Sequence, residues 1–557
     1  MTGEAWDTLH DPGSPDEHWS TDNVGEAAPG VLTPLSWSMW GATGDRMPRE
    51  IAFRMGMFSA ADRRDFPRIV RPFYGRIAMR MEYLGAVGDR MPGATGEDAV
   101  RSLFGRVPET MTFAPSRARY PVVAYRMPRA MLGTPRAVRA VAAETDAWWR
   151  TQIARLPALT TEGARTVLAE AVARFDETLT IHSLGLLAVM QPLLVELTKL
   201  VERAGVGDVG ALSGSGGAEM AIIEDIWEAS RGRITVDDVI ANHGFHGPLE
   251  GEASSRVWRE DPAPLIRMIS GYAKLDDAES PVARTGLARE RLPELQRAVL
   301  AALPPGRRAS ARLLLRLAAR LLPLRGVGKR AFLQSLDVAR GATRRLGEQL
   351  ELDAFYLTAA ELTGELPPGA GELVARRRER RREYQSLTIP SMWRGVPAPV
   401  AAGAPADSAV SGIGVSAGIA EGIVRVVTDP SFAEVEEGEV LVTPTTDPSW
   451  ASIMFLSSAL VVDIGGALSH AAVVARELGI PCVVNTRNGS RVLCTGDRVR
   501  VDGKAGTVEV LERADKIRRG SGVRLGRDVA PLVGVDGPDD HRQVVRRVEL
   551  GGDPAGQ

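Results

Sequence analysis

The spacing of apolar residues changes along the chain and divides it into three parts. Residues 23–131 have no steady period and are dense in Met, Arg, Gly and Pro. From Pro135 to about Leu373, apolar residues recur at i, i+3, i+4 and i+7, which predicts helices. Beyond Ser411, short β-branched runs such as GIVRVV and ALVVDI alternate with turns, which predicts an α/β domain. We therefore predict a multidomain α+β protein, in which a large mainly helical domain precedes a compact α/β domain.

Changes in composition give the domain boundaries. A polar lead-in covers 1–22, and the mainly helical domain covers 23–395. Residues 396–411 are rich in Pro, Ala and Gly and form a predicted linker, which spans at most about 50 Å when extended. The α/β domain covers 412–511, and 512–557 is a polar tail.

Composition excludes several classes of protein. The 557 residues carry 68 basic and 70 acidic side chains, and this balance argues against nucleic acid or an anionic membrane as partner. No apolar run reaches the roughly 18 residues of a membrane span, and the polar N-terminus is unlike a signal peptide. Cys482 and Cys494 are too few for a disulfide framework and lack zinc-site spacing. We expect a cytoplasmic protein.

The segment with the strongest chemical signal is ALVVDIGGALSHAAVVARELGIPCVVNT, residues 459–486. A buried type of strand runs into Gly465 and Gly466, and a helix is predicted to begin near Ser469. His470 then lies in the first turn of that helix. Its end is predicted at the Gly and Pro of the ELGIP sequence.

This position suits a phosphoryl carrier. The N–H groups and positive dipole at a helix N-terminus favour an anionic phosphate on the imidazole of His470. The same positive end disfavours the imidazolium and keeps the ring nucleophilic. Gly465 and Gly466 leave room for a large partner to approach. The alternative is that His470 only caps or packs, as most single histidines do.

The text around His470 resembles the mobile phosphohistidine domain of PEP-utilising enzymes, a family that includes pyruvate phosphate dikinase, PEP synthase and rifampin phosphotransferase. TPTTDPSW (443–450) precedes the histidine motif and TGDRVRVDGKAGTV (495–508) follows it, so the resemblance covers all of 412–511. It implies that His470 takes a phosphoryl group from ATP and swings to a second site. Leu468 stands where the dikinases have a regulatory threonine, which points to the rifampin phosphotransferase branch.

The helical part resembles the acceptor-binding domain of the same branch. Five segments recur there in the same order: WSTDNVGEAAPGVLTPLSWS, HGFHGPLEGEASSRVWRED, LPLRGVGKR, DAFYLTAAEL and LTIPSMWRG. The resemblance implies a largely helical domain that binds the phosphate acceptor.

Arg325 and Lys329 are the predicted second site. Their i, i+4 spacing places both cations on one face of a helix, where they can flank a phosphoryl group in transfer. Only five of the 68 basic residues are lysines, which singles out Lys329, and the family has a similar basic pair. A solvated basic face is the alternative. The family usually has Glu in place of Gly326, so the helix and the orientation of the pair are expected to be looser here.

His243, His246 and Glu250, together with Glu252, have the residue types of a metal site. Their HxxH spacing falls in a loop rich in Gly and Pro, however, so we predict no metal. By resemblance the loop lies near the acceptor, and His246 stands where an arginine is usual. A structural loop, an acceptor-side loop and a direct catalytic role remain open for these residues.

We recognise no motif in the sequence for a site that could phosphorylate His470. It has no GxxxxGK[ST] motif, and we identify neither an ATP-grasp domain before the acceptor domain nor a barrel after residue 511. We therefore expect a phosphotransferase component that a separate ATP-grasp protein charges with ATP and Mg²⁺, the chain itself binding no cofactor. His470 would deliver the group to a hydroxyl or carboxyl of a small-molecule acceptor. The alternatives are a small-molecule-binding or sequestering protein without chemistry, and a condensing or dehydrating enzyme that phosphorylates transiently.

Overall fold

A computed structural model describes residues 7–514 with internal gaps. The gaps are residues 23, 105, 206–211, 213–217, 278–279, 400–408, 429–434, 437, 447–449 and 467–468. Most of the predicted linker, nearly all of the predicted tail, the first six residues and Leu468 therefore lie outside the described residues. Residues 1–514 form one unit, and the contacts below lie within it.

Helices dominate the chain up to Ser386, as the periodicity predicts. They are α1 (Val24–Ala27), α2 (Pro34–Met55), α3 (Ala60–Asp65), α4 (Met81–Gly88), α5 (Gly96–Phe104), α6 (Tyr120–Arg155), α7 (Thr161–Gly185), α8 (Gln191–Ala204), α9 (Ala218–Ser230), α10 (Val236–His243), α11 (Ala263–Tyr272), α12 (Pro281–Ala302), α13 (Pro305–Leu321), α14 (Leu324–Leu350), α15 (Ala359–Thr363) and α16 (Ala370–Ser386). The irregular stretch 23–131 also folds into helices and short strands. Its many Gly, Pro and Met residues hide the period, and α2 even contains Pro48.

The helical core is built on the packing of α7 against α14, with α6 alongside. Helix α7 begins at the N-cap Thr160, whose side chain accepts the N–H of Gly163. Its apolar face, which includes Leu168 and Phe175, packs in the same cluster as Leu336 of α14. Small residues recur along the buried face of α14, so neighbouring helices approach it closely.

Helices α7 and α8, joined by the π-helical segment Leu186–Met190, form a 44-residue helical stretch. By length and composition an 18-residue window of it is apolar enough to cross a membrane, although no uninterrupted apolar run of that length exists. Within the window, 44% is buried inside the protein. The core helix of a folded domain passes the same test, and α7 contributes such a face to the core.

A small sheet ties the N-terminal segment to the end of the helical part. Its strands are β1 (His18–Ser20), β2 (Val70–Phe73), β3 (Arg76–Arg80) and β4 (Met392–Arg394), in the order β2-β3-β1-β4. Residues 18–20 were expected to belong to a polar lead-in, yet β1 pairs with strands on both sides. The reason is Trp19, which is fully buried against Phe73 and Trp393. A single large aromatic side chain is enough to anchor a segment that has no periodicity.

The C-terminal part contains an eight-stranded mixed sheet. Its strands are β5 (Ala409–Ser411), β6 (Ile413–Ser416), β7 (Ile419–Val426), β8 (Val440–Thr443), β9 (Ala459–Val462), β10 (Cys482–Val484), β11 (Arg498–Asp502) and β12 (Thr507–Glu512), in the order β5-β12-β11-β7-β8-β9-β10-β6. Three helices accompany them: α17 (Ala451–Leu456), α18 (His470–Leu478) and α19 (Gly489–Val492). Strands β7 to β10 are parallel neighbours. The predicted fold class, a mainly helical part followed by an α/β part, is confirmed.

We predict that Trp19→Ala lowers the free energy of unfolding by about 3–5 kcal/mol, because it removes a fully buried indole and leaves a cavity. Chemical denaturation of the purified chain measures this change. Leu132→Ala is the control, since that side chain is 83% exposed and the change is expected within about 0.5 kcal/mol. Equal stabilities for the Trp19 variant and the parent would contradict the anchoring role.

Candidate phosphohistidine site

His470 is the first residue of α18, as the sequence predicts. Ser469 is the N-cap, and its hydroxyl accepts the N–H of Ala472 at 3.1 Å. Gly465 has a φ of 154°, and a Cβ there would come within 3.1 Å of the Ser469 side chain. Among the described residues beyond its chain neighbours, no atom lies within 4 Å of a Cβ placed on Gly466. The helix ends at Gly479 in the left-handed conformation.

The His470 imidazole is buried, with 2% of the residue exposed. Its Nδ1 lies 3.2 Å from the hydroxyl of Thr446, which belongs to the TPTTDPSW segment. Burial lowers the pKa of His470 well below its usual value, and the charges of Lys329, Arg325 and His246 lower it further. The ring is therefore neutral at neutral pH. A neutral imidazole keeps the lone pair that a nucleophile needs.

Arg325 and Lys329 lie in the first two turns of α14, one helical turn apart. Both charges depress the pKa of His470, so the fold brings the predicted cations and the predicted carrier into one electrostatic neighbourhood. Gly326, where a looser helix is expected, is buried within the continuous helix α14. Two cations facing a histidine at a helix N-terminus can neutralise a phosphoryl group as it moves.

The loop after α10 reaches the same place. His246 and Glu250 are both buried, and Nδ1 of His246 forms a short hydrogen bond with Oε1 of Glu250. The other oxygen of Glu250 lies 3.1 Å from Nζ of Lys329. One carboxylate thus joins the predicted acceptor-side loop to the predicted basic pair. His246 and Glu250 belong to one of the segments selected from the sequence, and Lys329 belongs to another.

His243 and Glu252 form hydrogen bonds with residues outside this group. His243 ends α10, and its Nε2 lies 2.9 Å from Asp225 Oδ2. Glu252 accepts the backbone N–H and the hydroxyl of Thr33 and the hydroxyl of Ser36, so it secures the start of α2. Across the described parts of the chain, no three His, Cys, Asp or Glu side chains gather in a way that could hold a metal ion.

A buried ionic network fixes this loop to α14. Asp337 and Arg340 are 0% and 1% exposed and pair with each other. The Arg340 guanidinium also donates to the carbonyls of Glu252 and Ala253. Asp337 accepts from Arg259, at the far end of the loop, at 2.7 Å. The loop backbone is therefore held by side chains of the same helix that carries Lys329.

The α/β part contacts the helical part through an aromatic pair. The ring of Phe455, in α17, meets the ring of Tyr272 edge-on with centroids 5.6 Å apart. Phe455 is buried in an apolar cluster that includes Trp227 and Trp258. Burial raises the pKa of Asp22, and the charge of Arg487 in the α/β part partly opposes that rise.

Two segments match known protein families. Residues 435–506 match the PEP-utilising enzyme mobile domain, and residues 224–326 match the rifampicin phosphotransferase fourth domain. The first segment contains His470, and the second contains His246, Glu250 and Arg325. Over these two segments the predicted resemblance to rifampicin phosphotransferase and other PEP-utilising enzymes is confirmed.

Three relatives illustrate the similarity. An uncharacterised protein of Mycobacterium tuberculosis is 33% identical over 284 residues, which are 49% of this chain and 31% of that protein. A rifampicin phosphotransferase of a Streptomyces species is 32% identical over 272 residues, which are 45% of this chain and 31% of the enzyme. A probable phosphoenolpyruvate synthase of Staphylothermus marinus is 48% identical over 102 residues, 18% of this chain and 12% of that protein. The matched part spans about a third of the length of the first two relatives.

His182 is a residue near the site that the sequence did not predict. It is a buried residue of α7 whose pKa falls to about 3 through burial and the charges of Arg325 and Lys329. A Cβ on Gly328 would lie 2.6 Å from its Nδ1, so the glycine of RGVGK lets the ring pack on α14. Gly328 is the sequence feature that indicates a close contact here, but it does not identify His182 as the residue that packs against it. Thr446 was missed too, although it lies in a motif that the resemblance used.

We predict that Phe455→Ala weakens the contact between the two parts and exposes His470. Losing a buried aromatic side chain costs roughly 2 kcal/mol, so a separated state becomes at least about tenfold more populated. Carbethoxylation of His470 by diethyl pyrocarbonate, followed by peptide mass spectrometry, is expected to accelerate accordingly. Ile419→Ala is the control, because that exposed side chain lies in strand β7 of the same α/β part. An unchanged modification rate in the Phe455 variant would contradict the role of this contact.

Proposed function

We propose that this chain is a phosphotransferase component in which His470 carries a phosphoryl group to a small-molecule acceptor in the helical part. The observation that carries the proposal is that the charges of Arg325 and Lys329 act on the buried His470 and lower its pKa. A buried neutral imidazole at a helix N-terminus, faced by two cations, is suited to hold and release a phosphoryl anion. The names of the relatives, rifampicin phosphotransferase and probable phosphoenolpyruvate synthase, support the same chemistry.

The residues divide the work of the transfer step. The P–N bond of phosphorylated His470 breaks as an acceptor oxygen forms a P–O bond. The electron pair returns to the ring nitrogen, and the proton that the acceptor loses ends on the His470 ring, which becomes a neutral imidazole. Negative charge on the moving group lies near Arg325 and Lys329, which neutralise it. The hydroxyl of Thr446, at 3.2 Å from Nδ1, helps to fix the orientation of the ring.

A separate ATP-grasp protein is the proposed source of the phosphoryl group, with ATP and Mg²⁺ bound there. We place the reaction in the cytoplasm, where reduced cysteines are usual, since Cys482 and Cys494 are both free. The acceptor is a small molecule, and rifampicin is the first to test because of the relatives' names.

We predict that a candidate ATP-grasp partner transfers label to the chain from ATP carrying ³²P on its β- and γ-phosphorus, and that His470→Ala abolishes this labelling. His10→Ala is the matched control and is expected to label normally, because His10 stacks on Tyr74 outside the site. Label that persists on the His470 variant would refute the carrier role. Mass spectrometry of the acceptor then shows whether the product keeps the phosphate, as a phosphotransferase requires.

We predict that Lys329→Met slows delivery from phosphorylated His470 by about 10²-fold or more, because one of two charge-neutralising groups is lost. The decay of the phosphohistidine after mixing with acceptor measures the rate. Lys199→Met is the control, since Lys199 is an exposed partner of Glu196. Equal rates for the two variants would show that Lys329 belongs to a solvated basic face and not to the site.

A further inference from the structure

A threonine, a histidine and a glutamate from three separate segments are joined by hydrogen bonds, and none of them belongs to the proposed transfer site. Nδ1 of His18 lies 2.7 Å from Oε1 of Glu82, and Nε2 of the same ring lies 2.6 Å from the hydroxyl of Thr110. The backbone N–H of His18 also donates to Oε1 of Glu82, at 2.9 Å. His18 is 5% exposed, whereas Thr110 is exposed, so these hydrogen bonds lead from a half-buried carboxylate to the protein surface.

The local structure explains why these three side chains meet. His18 begins β1, and its ring faces away from the buried indole of the next residue, because side chains alternate along a strand. It faces Glu82, which lies in the first turn of α4. Thr110 is brought to the same ring by its neighbour Met111, which packs in one apolar cluster with Met81, the residue before Glu82. This cluster holds the threonine and the glutamate at the two nitrogens of one imidazole.

The partners of His18 determine where its proton lies. A carboxylate oxygen can only accept, so the ring N–H that faces Glu82 is on Nδ1. Nε2 of the neutral ring then has the lone pair, and the Thr110 hydroxyl donates to it. Among the described residues, Oε2 of Glu82 is buried without a hydrogen-bond partner, and both hydrogen bonds to Oε1 come from His18. The negative charge of Glu82 therefore favours the imidazolium that forms when His18 takes up the hydroxyl proton.

We propose that Thr110 is a nucleophile that takes an acyl group from a carboxylic ester, with His18 as its base and Glu82 as the residue that positions this base. A hydroxyl, an imidazole and a carboxylate joined in this order activate the hydroxyl for attack on a carbonyl carbon. Because Thr110 is exposed, a substrate can reach it, which a purely structural hydrogen bond does not require. This second activity uses no residue of the proposed phosphoryl transfer and does not depend on it.

Atoms and charges balance in both steps of the reaction. The Thr110 oxygen attacks the carbonyl carbon of the ester, its proton passes to Nε2 of His18, and the C–O bond to the alcohol breaks. The alcohol leaves with the proton from His18, and an acyl-threonine remains. Water then attacks the acyl carbon and gives a proton to His18, and the Thr110 oxygen leaves with that proton. One ester and one water become one acid and one alcohol, and no further co-reactant is needed.

The charges at Thr110 favour an uncharged ester over a phosphate ester. In the described part of the chain, the side chains of Thr110, His18 and Glu82 form no hydrogen bond or ion pair with an arginine or a lysine. A phosphate ester would bring further negative charge close to Glu82, where these contacts provide no cation to neutralise it. An uncharged carbonyl compound does not carry this electrostatic cost. The substrate class is therefore a carboxylic ester.

The test incubates the full chain with p-nitrophenyl acetate, stops the reaction with acid and locates acetyl groups by peptide mass spectrometry. Thr110 is expected to be acetylated at least about 10²-fold faster than Thr166, an exposed threonine whose hydroxyl donates to a backbone carbonyl. Thr110→Ala is expected to abolish the burst of p-nitrophenol, Thr110→Ser to retain it, and Thr166→Ala to leave it unchanged. With p-nitrophenyl phosphate, release is expected to be the same for the wild-type chain and Thr110→Ala.

The role of the base is tested with His18→Gln, because an amide can donate and accept hydrogen bonds but cannot take up the proton. This variant is expected to slow acetylation of Thr110 by about 10²-fold or more, and Glu82→Gln by a smaller factor. Thermal transitions and the acetylation of Thr166 separate misfolding from loss of the base. Where a variant is unstable, the comparison of Thr110 with Thr166 in the wild-type chain decides.

Two results would overturn the inference that Thr110 is an activated nucleophile. One is acetylation of Thr110 no faster than that of Thr166, and the other is a rate that His18→Gln leaves unchanged in a folded chain. Release of p-nitrophenol from the phosphate ester that depends on Thr110 would overturn the substrate class. Because His470 takes no part in this test, none of these results bears on the proposed phosphoryl transfer.

Discussion

The site depends on one buried ion pair, Asp337 with Arg340, in the middle of α14. An isolated charge at such depth is very costly, so both groups must be fully satisfied. Arg340 meets that need with carbonyls of Glu252 and Ala253, and Asp337 with Arg259 and the indole N–H of Trp149. The partners of the pair are therefore the backbone and the far end of the 243–261 loop. The hydrogen bonds that satisfy the Asp337–Arg340 pair therefore also fix the position of Glu250.

This constraint explains why residues distant in sequence act together. Lys329 precedes Asp337 by about two turns on the same rigid helix, so fixing the loop at Asp337 and Arg340 also fixes it relative to Lys329. The carboxylate of Glu250 then bridges to the lysine without having to be ordered at the moment of reaction. Preorganisation of this kind is what a charged reaction site needs in a place from which water is excluded.

Structural features that depend on neighbouring residues were predictable from the sequence, whereas contacts between distant segments were not. The start and end of α18 at Ser469 and Gly479 follow from capping preferences, and the shared face of Arg325 and Lys329 follows from helical spacing. By contrast, the burial of Trp19 depends on Phe73 and Trp393, which are far away in the chain. The place of His182 depends on its contact with Gly328, and no pattern within α7 indicates it. The roles of His243 and His246 separate only when Asp225 and Glu250 are seen beside them.

The aromatic contact between Phe455 and Tyr272 also has a kinetic meaning. A carrier that serves two sites spends time at each, and the time at one site grows exponentially with the free energy of that contact. One buried phenyl ring contributes roughly 2 kcal/mol, which lengthens the stay by about 30-fold. If His470 carries a phosphoryl group as proposed, the ring at position 455 therefore contributes to the time that the group spends at the acceptor.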